Sequence, residues 1–161
     1  MPAHAPLPSP DVPAVVAGHG RAAVFTGEGE LLTLPAADAA GLLRAAGAAL
    51  VVHAPATLRR LGLRELPCFD LLHLFAFVLP ARPVTPTPRG LALALDLDPP
   101  DGLEDAAALL PEAARALLHH LAAARDAPAN ADAAALAAHM GGAGWAWTGP
   151  SFPPLRAARV W

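Results

Sequence analysis

Four aspartates, one histidine at the end of an apolar run, a pair of adjacent arginines and three tryptophans are the residues of this chain whose chemistry could amount to a site. Asp98 and Asp101 flank a Pro-Pro break, Asp105 opens the helical pattern that follows, and Asp70 precedes a second apolar helix. Two-metal hydrolysis needs several such carboxylates converging on ions about 3.5–4 Å apart. His53 closes the run Ala48–Val52, and the carboxyl ends of central strands are where open α/β sheets hold ligands. His119 and His120 are consecutive on a helix and face different directions, whereas chelation needs i, i+4 spacing. His73, inside an apolar helix, reads as a core or rim residue. Cys68 is the single cysteine; it allows no internal disulfide and no thiolate metal cage, and beside Phe69 it reads as packing. Arg59 and Arg60 read as solvated surface charge, with contact to a phosphate backbone or a partner as the functional alternative. Trp145, Trp147 and Trp161 suit either stacking on single-stranded bases or docking against another domain.

The elements that must position these residues follow from periodicity and punctuation. Val12–Ala17, Arg21–Thr26 and Leu31–Leu34, separated by glycine turns, predict an antiparallel meander. Ala39, Leu42, Leu43 and Ala46 lie at helical spacing, with Gly47 as the stop. The uninterrupted run Ala48–Val52 predicts a strand covered on both faces, reached by crossover and so parallel to the first strand. Pro55 suits the first turn of a helix running to Leu61. Leu66–Phe69 is a short strand, Asp70 a cap for a buried helix over 71–79, and Pro80–Pro88 an extended crossing loop. A short helix over 88–97 precedes the Asp98–Gly102 break. Leu103–Arg125 is the longest helical pattern, with Pro111 kinking or dividing it. Asp132–Met140 is a last helix ended by Gly141-Gly142, and 144–161 reads as a linker carrying exposed aromatics. The expected organisation is a disordered Pro-rich 1–11, one mixed α/β domain over 12–143, and that linker.

Composition excludes several classes. The 161 residues allow one domain with a real core. Mean hydropathy of +0.41 reflects alanine, and no stretch approaches the roughly 18–20 uncharged apolar residues of a membrane span. The N-terminus has no basic segment of the secretory kind, so a cytoplasmic protein without membrane contact is expected. A net charge of −3 gives no general polyanion signal. All eleven basic residues are arginine, which with the alanine and proline content fits a GC-rich coding bias.

The order of elements resembles the DEDD-type 3′–5′ exonuclease domain, a proofreading fold related to ribonuclease H. The resemblance covers residues 12 to 125 and rests on the meander, the strand ending in His53, the Phe69-Asp70-Leu71-Leu72 segment, the 89–97 helix after its Pro-rich loop, and Leu103-Glu104-Asp105-Ala106. His53-Ala54-Pro55, the segment 74–83 and Gly144-Trp145-Ala146-Trp147 are together similar to the N-terminal region of alphaproteobacterial DinG-type ATP-dependent DNA helicases. That resemblance implies a helicase motor as C-terminal partner, with single-stranded DNA as a possible second partner and with ATP and magnesium belonging to the motor. The chain has no lysine and so no Walker A loop of its own.

Set against the exonuclease pattern, one of the four acids remains. The first strand, 13–19, has no carboxylate. The second motif keeps His53 but has Ala54 and Leu58 where an amide and a metal-binding aspartate belong. The third has Pro100 in place of the general-base histidine and keeps Asp105. The resemblance therefore implies a site without catalysis, metal or cofactor, with His53 and Asp105 as vestigial positions: His53 a strand-end residue bonded to backbone, Asp105 a first-turn acid favoured by the helix dipole. Arg59, Arg60, Trp145 and Trp147 are the expected nucleic-acid or partner contacts. Two other readings stand beside this one, a divergent nuclease using Asp70, Asp98, Asp101 and Asp105, and a stand-alone interaction domain.

Overall fold

A computed structural model describes residues 10–123 and 132–148. Strands β1 (Ala14–Ala17), β2 (Arg21–Phe25) and β3 (Leu31–Pro35) form the expected meander, with Ala17 opposite Ala22 and Phe25 opposite Leu31. Helix α1 (Ala36–Ala46) ends at Gly47, whose φ of 82° supplies the left-handed stop. It crosses over to β4 (Ala49–Val51), which lies parallel to β1 with Ala14 opposite Leu50. Helix α2 (Ala54–Leu61) leads to β5 (Cys68–Asp70), parallel to β4. The sheet order β3-β2-β1-β4-β5, antiparallel on one side and parallel on the other, is an α/β, ribonuclease H-like arrangement.

Two apolar layers cover the sheet, and the period-2 alternation of strands sorts residues between them. Val15, Ala17, Ala49 and Val51 pack against Ala39, Ala40 and Leu43 of α1 and Leu61 of α2. Ala14, Leu50, Val52 and Phe69 face the other side. There they meet α3 (Leu71–Val78), α4 (Pro88–Ala94) and α5 (Leu103–Ala123). Because both faces are covered, β4 is buried at every position, which is why it reads as an apolar run without alternation.

Three expectations need correction. Pro111 does not divide α5, which continues through it, anchored by Leu110, Ala113, Ala114, Leu117 and Leu118, all fully buried. The last helix, α6 (Ala133–Gly142), runs through Gly141 and Gly142, and the left-handed residue is Gly144 (φ 94°). Most consequential, residues 144–148 do not carry exposed aromatics. A single 3₁₀ turn, Ala146–Thr148, places Trp147 in the core at 0% exposure, and Trp145 is half-buried against Phe77, ring centroids 5.0 Å apart. The Trp147 indole meets Phe69 edge to face at 5.3 Å and donates its N–H to the Asp70 carbonyl at 3.0 Å. Burial of a large aromatic with its polar atom satisfied outweighs the proline-rich context that suggested a linker. The domain thus extends past 143. Of the segment expected to be disordered, residues 1–9 lie outside the described residues, and Pro10 is buried. Arg125 and Trp161 also lie outside them.

Candidate functional site at the carboxyl ends of the parallel strands

Beyond Val51 the chain turns through His53 into α2. His53 takes φ 60° and ψ 77°, a left-handed conformation that costs a non-glycine residue about 1–2 kcal/mol. Local hydrogen bonds offset that cost. Its Nδ1 accepts the Ala56 N–H at 3.3 Å, making His53 the N-cap. Its own N–H donates to Asp70 Oδ1 at 3.1 Å, and the Ala54 N–H donates to Oδ2 at 2.7 Å. Asp70 Oδ1 also accepts the Leu72 N–H at 3.0 Å, capping α3 as expected. One carboxylate, 3% exposed, thus ties the β4–α2 junction to the β5–α3 junction.

This bonding closes the N-terminus of α2. The Ala54 and Ala56 N–H groups are spent on Asp70 and His53, Pro55 has none, and the Thr57 N–H donates to the His53 carbonyl at 3.1 Å. The Thr57 hydroxyl, on a side chain 7% exposed, reaches the Val52 and His53 carbonyls, each at 3.2 Å. The anion-binding capacity of a free helix start is therefore not on offer here.

Beside the junction lies a crevice of about 140 Å³. Its walls are the carboxyl half of β1, the face of α2 carrying His53, Thr57 and Arg60, and Pro86-Thr87-Pro88. Arg60 donates Nη1 to the Ala17 carbonyl at 3.0 Å, across the end of β1. Thr87 caps α4 by accepting the Gly90 N–H at 3.0 Å, and Gly90 has no room for a Cβ against the Thr85 backbone, so this wall is fixed in place. Sequence reasoning singled out His53 and Arg60 but not Thr57 or Thr87. The spacing 53, 57, 60 is one helical face and was the signal available.

The acids fall elsewhere. Asp98, Asp101 and Asp105 are exposed, Asp105 in the first turn of α5 as expected. Glu104, next to it, accepts the Thr33 hydroxyl. No Asp or Glu lines the crevice. Leu58, where the exonuclease pattern has a metal-binding aspartate, packs against the α1-side core. Among the described residues, no three His, Cys, Asp or Glu side chains form a group that could hold a metal ion. Of the acids a relocated nuclease site would draw on, Asp70 is buried and engaged by backbone N–H groups, while Asp98, Asp101 and Asp105 are exposed.

The remaining candidates separate as well. Arg59 is exposed and does not line the crevice; His119 and His120 are exposed on α5. Cys68 and His73 border a different and larger groove, about 750 Å³, between β5 and the α6 end of the fold, together with Met140, Trp145 and Trp147. Burial, and secondarily the charge of Asp70, push the Cys68 thiol up to about 11 from its usual 9.0. Only about one molecule in a thousand is then thiolate at pH 8, against about one in ten for an unperturbed thiol. Alkylation of Cys68 by iodoacetamide at pH 8 is accordingly expected to be roughly a hundredfold slower in the folded protein than after denaturation. Thiol quantitation over time checks this, and equal rates would mean that the thiol is open to solvent. No helix among the described residues is long and apolar enough to cross a membrane. In comparisons with known proteins, no family model, no curated protein and no solved structure matches this chain.

Proposed function

We propose that this chain is a non-catalytic, exonuclease-like accessory domain that acts in docking or architecture beside the motor of an ATP-dependent DNA helicase in the cytoplasm. The observation that supports this most directly is the crevice itself. Two-metal phosphodiester cleavage needs converging carboxylates, and the exonuclease pattern that the sequence resembles has them on the first strand and at position 58. The first strand carries none, position 58 is a leucine packed on the α1 side, and the crevice is lined by His53, Thr57, Arg60 and Thr87 without an acidic residue. The helicase context rests on the sequence resemblance alone, and ATP and magnesium belong to the motor in that reading.

Two measurements test the two halves. Incubated with magnesium or manganese, the purified chain is expected to release no nucleotides from single-stranded DNA, and Asp105→Ala is expected to change nothing. Metal-dependent release abolished by Asp105→Ala would overturn the non-catalytic reading. The coding sequence after Trp161 is expected to continue into a Walker A motif; a frame that stops there removes the motor.

A further inference from the structure

We infer that the crevice between β1, α2 and the Pro86–Pro88 wall binds one tetrahedral oxyanion, a phosphate group, through side chains and without a metal. The inference rests on the non-catalytic reading of the same site and gives it a ligand. Three observations carry it. First, the crevice is lined by His53, Arg60 and Thr87, together with Thr57, whose hydroxyl proton is already given to backbone carbonyls, and no acidic residue is among the lining. Second, about 140 Å³ is room for some five water molecules at roughly 30 Å³ each, enough for one phosphate group. Third, Arg60 is held in place by its bond to the Ala17 carbonyl, which uses one of the five N–H donors of a guanidinium and leaves the others in a fixed fork.

The histidine adds a directed donor. Because Nδ1 accepts the Ala56 N–H, the ring carries its hydrogen on Nε2, and His53 is exposed at the crevice. The α2 backbone cannot assist, since its first-turn N–H groups are already bonded. Recognition thus depends on side chains, Arg60 above all, and its loss is not compensated by a helix start. The phosphate could be free inorganic phosphate or the terminal phosphate of a nucleic-acid strand; the chemistry recognised is the same.

The test is a titration of the full chain followed by ¹H–¹⁵N NMR at low salt, with inorganic phosphate in one arm and an oligothymidylate with or without a terminal phosphate in the other. Phosphate is expected to shift the Arg60 side-chain and His53 ring resonances. Arg60→Gln is expected to weaken binding about tenfold or more, as removal of a charge-assisted contact does. Arg59→Gln, one residue away and outside the crevice, is expected to leave it within about twofold. His53→Asn keeps a capping acceptor and tolerance of the left-handed backbone while removing the Nε2 donor; it is expected to weaken binding with the fold intact, so the test does not hang on one variant. A terminal phosphate that improves oligonucleotide binding assigns the strand end as the source, and equal binding of both oligonucleotides beside a response to inorganic phosphate assigns the free ion; either supports the site. No response of the wild type to any phosphate probe, or equal weakening by Arg59→Gln and Arg60→Gln, overturns it. Since neither outcome depends on cleavage, the proposal can fail while the non-catalytic reading stands.

Discussion

Asp70→Ala is expected to lower the unfolding free energy by about 4 kcal/mol. The alanine leaves three backbone N–H groups, those of His53, Ala54 and Leu72, without their acceptor. Each such bond to a charged group contributes about 1.5–3 kcal/mol in isolation. The three do not add in full, because water reaches the exposed His53 and half-buried Ala54 once the side chain is gone. Asp70→Asn separates charge from shape. The amide keeps one acceptor oxygen but turns an NH₂ toward at least one N–H donor, so a loss of about 2 kcal/mol is expected. Urea unfolding monitored by circular dichroism measures both, with an unchanged slope confirming that the native state alone is affected. If Asp70→Ala proved as stable as the wild type, the carboxylate would not be what joins the two junctions.

Trp147→Ala is the second large effect, an expected loss of about 3–5 kcal/mol. The side chain is fully buried, so its removal leaves a cavity against β5 as well as losing the edge-to-face contact with Phe69. It also strips the Asp70 carbonyl of its indole donor. Trp147→Phe retains most of the ring area and loses only the hydrogen bond and part of the volume, for about 2 kcal/mol. Trp145→Ala, from a half-buried site, is expected to cost less than Trp147→Ala. Denaturant midpoints for the three variants check the ranking, and a chain ended at residue 143 should behave no better than Trp147→Ala. Wild-type stability in that shortened chain would restore the linker reading of 144–148.

The contrast between these two residues explains what sequence reasoning could reach. The cap made by Asp70 was legible, because an aspartate immediately before an apolar helix has a local consequence. Its bonds to His53 and Ala54, 17 and 16 residues away, were not, since nothing local marks them. Trp147 lies 77 residues from its acceptor and sits among prolines and glycines, so periodicity carried no sign of its burial. The meander, the parallel crossover into β4 and even three-residue β5 were readable because each is bounded by turn or helix signals. The N-cap of α2 and the stop of α6 were less so. His53 serves as N-cap in place of the usual Ser, Thr, Asp or Asn, and α6 continues through two glycines that ordinarily end a helix. At the candidate site, the sequence offered His53 and Arg60 as separate residues; only the fold brings β1 and the Pro86–Pro88 wall against the α2 face that bears them.

The bond from Trp147 to the Asp70 carbonyl has a mechanical consequence. Whatever follows Thr148 is attached through a side chain seated on β5, and β5 is hydrogen-bonded directly to β4. A pull on the C-terminal side therefore loads the parallel half of the sheet at its edge strand, next to the residue that fastens the His53 turn. The indole therefore holds residues 146–148 against the same edge strand whose Asp70 carboxylate fastens the His53 turn.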